Sequence, residues 1–399
     1  MKYLVQKFGG TSVSTKEKRK AAAEKVKSAL DAGYFPIVVV SAMGRKGDPY
    51  STDTLLSLFD DGFKEQNKQA ADLLMCCGEM ISAAVMCSEL NNNGISALPM
   101  TGGQAGIITN DDFSNAEALR VNTQLINETA AKGFIPVITG FQGMTEKGFF
   151  TTLGRGGSDT SASLIGVALK AEEIQIYTDV DGIMTADPRI VQDASLIDVI
   201  SYSEVFQLAD QGAKVIHPKA VEIAMRGNVP LVIKNTLNDS EGTLINSLGD
   251  LNKSRIITGI TYMNDRTQVS IKLEDNISNI HYKDLLDIVA GNNISLDLIN
   301  IFPKEKIFTI DSSKNSSLGQ ILKDIDIKYT FTENCSKISV IGSRMAGIPG
   351  VMAKIIKALS DNNIEVLQTA DSHMTIWCLI NSAYVNEALN VLHKTFQLS

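Results

Sequence analysis

The chain is short of the residues from which metal centres and disulfide frameworks are made. Its five cysteines, Cys76, Cys77, Cys87, Cys335 and Cys378, form no CxxC pair, and an odd, irregularly spaced set is poor material for a disulfide framework. They read as reduced, mostly buried thiols of a cytoplasmic protein. The four histidines, His217, His281, His373 and His393, show no metal-ligand spacing, and each reads as an ordinary surface or core histidine. Positive charge is scarce as well. With 37 lysines and arginines against 45 aspartates and glutamates, the net charge is -8, which argues against a nucleic-acid partner while leaving room for a small anion held by local cations. No apolar run approaches bilayer-spanning length, and MKYLVQKFGG reaches glycine too soon for a signal-peptide core, so no membrane partner is expected. The absence of GxxxxGK[ST] argues against a P-loop NTPase. GRGGSD matches GxGxxG only loosely, and too late in the chain for a first Rossmann unit.

What is present is a regular alternation. YLVQKF, PIVVVSAM, ISALPMTG, FIPVITGF, EIQIYTDV and VPLVIKNT read as strands, several apolar enough to be buried on both faces. Between them 14–32, 72–91, 115–132, 158–170 and 203–226 read as helices. Strand, glycine turn and helix recur, which predicts an α/β fold with a mostly parallel open sheet sandwiched by helices and with ligands at the carboxyl ends of the strands. Near 239–254 the pattern breaks into NDSEGTLINSLGDLNKS, a candidate boundary. Beyond it two segments share one layout, most clearly in NNISLDLIN and NNIEVLQTA, each directly after a helix. This suggests a duplicated βαββαβ, ferredoxin-like unit.

The chemistry-bearing residues gather in the strand-to-helix turns. In TTLGRGGSDTSA, Gly154, Gly156 and Gly157 open the backbone to close approach, and the following helix start suits an anion. Lys7, Arg155, Arg189 and Lys214 each lie in or beside such a turn; a solvated surface charge is the alternative for each, and is equally weighted for Arg189. Glu79 sits in an otherwise apolar helix as either a dipole partner or a ligand contact. Asp179 and Asp181, after a strand, are placed to hold a Mg²⁺ water or a nucleotide ribose, whereas Asp187 before Pro188 reads as a local turn residue.

KFGGTSV, IVVVSAMG, GEMIS, TGGQAGI, GFQG, TLGRGGSDTSA, TDVDGIMTADPR, QGAKVIHPKAVEIA and NDSEGTLI occur in the order and spacing of aspartate kinases (aspartokinases) of the amino acid kinase family, which the chain resembles over nearly its whole length. The two C-terminal units resemble ACT domains, most clearly in AGIPGVMAKIIKALSDNNIEV. The resemblance implies a catalytic amino acid kinase domain at 1–247, a linker and strand contributed to the ACT region at 248–263, and ACT domains at 264–335 and 336–399, with the strand near 256–262 joining the second. No fused dehydrogenase is expected after the second ACT unit.

It further implies a nucleotide site of Lys7, Phe8, Gly9, Gly10, Ser12, Thr178, Asp179, Met184, Arg189, Lys214 and Val215, with Met184 where many relatives carry tyrosine. The implied aspartate site is Ser41, Thr52, Glu79, Arg155 and Asp159, with Ser51 and Thr54 as alternatives to Thr52. Lys7, Asp159 and Lys214 take the catalytic roles. ATP is the implied co-substrate, with Mg²⁺ held mainly by its phosphates. An amino-acid effector is implied around Ser295, Leu296, Asp297, Leu298, Ile299 and Asn300; lysine, threonine, diaminopimelate and combinations are all compatible. A homodimer or dimer of dimers through the ACT domains is the implied assembly. The implied reaction is phosphorylation of the aspartate side-chain carboxylate in lysine, threonine, methionine and diaminopimelate biosynthesis. Other amino acid kinases, such as glutamate 5-kinase or acetylglutamate kinase, and a catalytically idle amino-acid sensor are the alternatives.

Overall fold

The computed structural model describes residues 1–213, 215–251, 255–276, 279–343, 345 and 348–399. The chain divides into two units: Met1–Ile183, Leu196–Asp210 and Lys214–Lys253 form the first, and Met184–Ser195, Gln211–Ala213 and Ser254–Ser399 the second. Two short segments from the kinase-like part of the sequence thus belong to the C-terminal unit, an arrangement that no boundary drawn in chain order expresses.

The first unit runs β1 (Tyr3–Phe8), α1 (Lys16–Asp31), β2 (Phe35–Val40), α2 (Thr52–Leu56), α3 (Asp61–Gln66), α4 (Lys68–Asn92), β3 (Ala97–Met100), β4 (Ile107–Thr109), β5 (Ala118–Val121), α5 (Gln124–Ala131), β6 (Ile135–Thr139), β7 (Gln142–Thr145), β8 (Phe150–Thr152), α6 (Gly157–Leu169), β9 (Glu173–Thr178), β10 (Val199–Ser201), α7 (Tyr202–Asp210), α8 (Pro218–Gly227), β11 (Leu231–Asn235) and β12 (Thr243–Asn246). All six strands expected from the sequence lie in one eight-stranded sheet, ordered β10-β12-β11-β9-β1-β2-β6-β3. Every neighbouring pair is parallel except β11–β12. The strands of its centre are buried along almost their whole length, as their unbroken apolar runs require. Alternation along β1 decides which side chain does what. Phe8 joins Ala22, Val26 and Met86 on the face covered by α1 and α4, while Val5 lies against Gly166 of α6 on the other face. Lys7 shares the parity of Val5.

Three expectations change. Residues 115–132 do not form one helix, because Ala118–Val121 pairs antiparallel with β4 in a second sheet ordered β5-β4-β7-β8; long-range pairing overrides local helical preference there. Residues 203–226 form two helices, since Gly212 takes φ +116° and Pro218, lacking an N–H, opens a new helix. An apolar run of bilayer-spanning length does exist: α4 has 25 residues and is apolar enough to cross a membrane. Its apolar residues instead pack on β3, β6 and β8, and the helix buries two carboxylates, Asp72 and Glu79. Asp72 accepts four hydrogen bonds, from the backbone N–H and hydroxyl of both Ser114 and Thr152, and so ties α4 to the small sheet.

The second unit contains β13 (Gly259–Lys272), α9 (Leu285–Gly291), β14 (Asp297–Phe302), β15 (Glu305–Asp311), α10 (Asn315–Asp324), β16 (Thr330–Ile341), α11 (Val351–Ser360), β17 (Val366–Asp371), β18 (Thr375–Asn381) and α12 (Val385–Thr395). They build two βαββαβ halves on one antiparallel sheet ordered β14-β15-β13-β16-β18-β17. The long strands β13 and β16 serve both halves. Gly259–Met263 pairs with Lys337–Ile341 in the second half, and Arg266–Lys272 pairs with β15 in the first. An irregularity between Met263 and Arg266, with Asp265 at φ +57°, shifts the buried positions from Ile260 to Val269 and Ile271. An extra residue in one strand has that effect, because it moves the inward-facing set to the other parity. The interleaving expected near 256–262 is this strand exchange.

Candidate active site

The carboxyl ends of β1, β2, β6, β9 and β11 lie along one sheet edge. Register sets Phe8 beside Val40 and Tyr177, Val40 beside Thr139, and Thr178 beside Asn235. The turns leaving this edge are tied to one another: the N–H of Gly9 donates to Tyr177 O at 3.2 Å, that of Ser41 to Phe8 O at 3.1 Å and that of Thr236 to Thr178 O at 3.0 Å. Thr236 also donates its hydroxyl to Ser12 Oγ at 2.7 Å. A Cβ on Gly10 would come within 2.6 Å of the Ala42 carbonyl, so only glycine lets the first turn pass the second.

Lys7 and Asp159 meet at this edge, Nζ to Oδ1 at 2.6 Å, and both are nine-tenths buried. Lys7 comes from the carboxyl end of β1, on the face toward α6, and Asp159 from the first turn of α6. The Lys7 ammonium also lies 3.6 Å from the position a Cβ would take on Gly9, over the glycine turn. Arg155 stands one residue before Gly156, which takes φ +67° as the residue entering α6; the arginine is exposed and makes no ion pair among the described residues.

Glu79 reaches the edge from α4. Its Oε1 accepts the Ala42 N–H at 3.1 Å, next to Ser41, whereas Oε2 is buried without a hydrogen-bond partner among the described residues. Burial pushes this carboxyl up to about 8, against the lowering effect of the Ala42 hydrogen bond. Gly78 makes room for the approach, since a Cβ there would sit 3.0 Å from both Ala42 Cβ and the Tyr50 carbonyl. Thr52 opens α2. The Ser51 and Thr54 hydroxyls are bonded to each other at 2.8 Å, and Thr54 Oγ1 accepts the Gly47 N–H.

Other candidates are placed differently. The Phe8 side chain is core, stacked on Tyr177 with ring centroids 4.8 Å apart, so only its backbone faces the edge. Asp179 forms an ion pair with Arg45 at 2.7 Å, and Thr178 Oγ1 donates to it at 3.2 Å. Asp181 accepts from Asn235 and Asn238 at 2.7 Å each, which holds its carboxyl below the ordinary range and makes it a turn anchor. Val215 is half-buried in the first unit. Met184 and Arg189 belong to the second unit, where both Arg189 side-chain nitrogens Nε and Nη2 donate to Asp187. Lys214 lies outside the described residues. The Asp297 carboxylate, its side chain 43% exposed, forms an ion pair with the buried Lys337, and Leu298 takes φ +46°.

Sequence reasoning passed over Arg45 and His217. The His217 ring packs directly on Gly156 between Arg155 and the start of α6; the HP pair ahead of a helical pattern was the available signal. Arg45 had none, because its partner is 134 residues away.

A parallel sheet whose carboxyl edge carries a buried lysine-aspartate pair, glycine turns and a buried carboxylate with one oxygen unpartnered among the described residues has the architecture of a small-molecule phosphotransferase. The model of the amino acid kinase family matches residues 2–235, and that of the ACT domain residues 330–394. Aspartokinase 1 of Bacillus subtilis (strain 168) is 45% identical over 404 residues, covering 100% of each chain. Among solved structures, E. coli aspartokinase III in complex with aspartate and ADP superposes with a TM-score of 0.76 at 25% identity, covering 99% of each chain. The same enzyme in complex with lysine and aspartate gives a TM-score of 0.75 at 24% identity, over 98% of this chain and 99% of that one. The chain belongs to the amino acid kinase family and, within it, to the aspartokinases.

Proposed function

We propose that the protein is an aspartate kinase, transferring the γ-phosphoryl group of ATP to the side-chain carboxylate of L-aspartate and releasing 4-phospho-L-aspartate and ADP. The bond between the γ-phosphorus and the β,γ-bridging oxygen breaks as a carboxylate oxygen bonds to that phosphorus. The nucleophile has a pKa of about 3.9 and is already ionised, so no general base is needed. What the reaction needs is neutralisation of two mutually repelling anions and their alignment. Lys7, backbone N–H groups of the glycine turns and Lys214 supply the positive charge, while Asp159 holds Lys7 in place. Mg²⁺ enters as part of the co-substrate MgATP, bound by its phosphates, and adds charge neutralisation there. Arg155 offers a free two-pronged donor for the substrate α-carboxylate. Glu79, with Asp159, receives the α-ammonium.

The observation that carries this reading is the orphaned Oε2 of Glu79. A buried carboxylate oxygen without a partner costs free energy unless a ligand pairs it, and an ammonium does so best. The complex of E. coli aspartokinase III with aspartate and ADP supports the same substrate pair.

The ACT region makes the enzyme responsive to an amino-acid effector bound near 295–300; the lysine complex of E. coli aspartokinase III supports this class of ligand. β14 is an edge strand with exposed Ile299, Ile301 and Phe302, which supports assembly of a homodimer or dimer of dimers through this region. The five free cysteines, four of them buried, fit a reducing cytoplasm. We read 1–247 as the catalytic domain, 248–263 as the linker and shared strand, and 264–335 and 336–399 as the ACT domains. ADP release measured with aspartate and with glutamate tests the assignment: aspartate alone supports turnover. ADP release with glutamate but not aspartate, or with neither, overturns it.

A further inference from the structure

His217 caps α8 in an unusual way. Its Nδ1 accepts the backbone N–H of Lys219 at 3.3 Å, with Pro218 at the first helical position, so the ring proton sits on Nε2 and the imidazole is neutral. The other side of the ring packs on Gly156. A Cβ at that glycine would fall 2.2–2.5 Å from His217 Cβ, Cγ and Cδ2, and the residue already needs the left-handed conformation, φ +67° and ψ +14°. α6 has no side-chain cap of its own. Its entry turn is closed by backbone bonds, Gly157 N–H to Gly154 O at 3.1 Å and Thr160 N–H to Gly156 O at 3.0 Å, and the histidine ring rests on that turn. α6 and α8 pack along their lengths, with Gly227 against Val167. The ring is the contact at their two starting ends.

We propose that His217 is a positioning residue for the aspartate half of the site, fixing the turn that presents Arg155 and Asp159, and that only its neutral form does so. The inference rests on the reading of that turn as part of the aspartate site. The ring can serve two masters because its two sides differ: Nδ1 satisfies an orphan N–H of one helix while the carbon edge sets the backbone entering the other. Protonation turns Nδ1 into a donor facing the Lys219 N–H, which removes the cap, and places positive charge beside Arg155. Three charged side chains bear on the ring. Burial is the largest influence and disfavours the cation, Asp159 favours it, and Lys219 and Arg155 disfavour it, so the ring titrates below its ordinary value of 6.5. The geometry therefore keeps the neutral ring at neutral pH and loses it in mild acid.

The test is steady-state kinetics of the full chain from pH 5 to 8, for wild type, His217→Ala and His217→Asn, with thermal unfolding of each. Asparagine keeps a cap acceptor but has no ring to lie on Gly156. The expected result is a rise of about tenfold or more in KM for aspartate in both variants, with KM for ATP within twofold. On top of the acid limb that Glu79 imposes on every form, the wild type should show a further fall in kcat/KM for aspartate below pH 6.5 that both variants lack. His217→Asn should recover most of the unfolding temperature lost by His217→Ala, which separates the cap from the positioning role. An aspartate KM within twofold of wild type in His217→Asn, a further fall below pH 6.5 that persists in it undiminished, or equal losses for both substrates overturns the inference. Wild type that releases no ADP with aspartate would instead overturn the functional reading itself, and that outcome is visible before any variant is examined.

Discussion

Thr185 Oγ1 lies 3.0 Å from Nε2 of the buried His393. The same hydroxyl oxygen accepts the Ser195 N–H at 3.0 Å, and the Thr185 carbonyl accepts the Ile260 N–H at 2.8 Å. Asn390 of α12 donates to the Ile190 carbonyl at 3.1 Å, and Ser195 donates its hydroxyl to the Leu398 carbonyl at 2.9 Å. The segment Met184–Ser195, continuous with the first unit at Ile183 and Leu196, is thereby clasped by the C-terminal half of the second. That segment carries Met184 and Arg189, two of the candidates for the nucleotide site.

Thr185→Val removes the hydroxyl at the centre of the clasp and leaves the Ser195 N–H and the His393 ring nitrogen unpaired. The cost is about 1–3 kcal/mol, the usual penalty for stranded buried polar groups. The expected outcome is a lower unfolding temperature together with a several-fold higher KM for MgATP, while the aspartate KM stays within twofold. A lower unfolding temperature with an unchanged MgATP KM would show that the clasp is structural only.

The Lys7–Asp159 pair allows stability and turnover to be separated. Lys7→Ala strands a buried carboxylate, and breaking a pair of this kind costs about 3–5 kcal/mol. Adding Asp159→Asn removes the stranded charge. The double variant should therefore unfold at a higher temperature than Lys7→Ala, yet both should lose most turnover. Near-normal turnover in either would remove Lys7 from its proposed role.

Both the success and the gaps of sequence reasoning have physical reasons. The central strands were legible because burial on both faces forces continuous runs such as PIVVV, and the glycine turns because φ +67° at Gly156 admits little else. The small sheet was not: β4 and β8 have three residues each, too few for a period, and β5 exists only by pairing with β4. The long strand β13 was not legible as one element, because the irregularity between Met263 and Arg266 breaks its alternation. Lys7 and Asp159, 152 residues apart in the chain, were each suspected, but their contact depends on β1 lying next to β9 and under α6. The ion pair between Asp297 and Lys337 likewise joins two halves of a duplicated fold, and no local pattern announces it.

Arg155→Lys tests the carboxylate clamp. Lysine keeps the charge but loses the planar fork, so a bidentate pair becomes a single contact. KM for aspartate should rise by about tenfold, in line with the loss of about 1–2 kcal/mol from one charge-assisted hydrogen bond, with little change for ATP. Equal effects on both substrates would count against the clamp.

Glu79 gives a pH dependence whose sign can be worked out in advance. Without ligand its carboxyl is pushed up to about 8, chiefly by burial, and is mostly protonated at pH 7. Pairing with an α-ammonium requires the ionised form, so aspartate binding near pH 7 should release close to one proton. Affinity should tighten as pH rises toward about 8 and level off above it. Calorimetric titration in buffers of different ionisation enthalpy measures that proton, and Glu79→Gln should abolish both the release and the pH slope while weakening binding. The folding balance runs the other way. A folded-state value raised above the unfolded one, about 4.3 for glutamate, contributes stability that is complete below the unfolded value and is lost as pH rises through about 8. Glutamine carries no such titration, so the unfolding temperature of Glu79→Gln relative to wild type should increase from pH 5 to pH 8.5 without ligand. A difference that stays constant over that range would mean that the carboxyl titrates in its ordinary range and that the pocket is wetter than its burial implies.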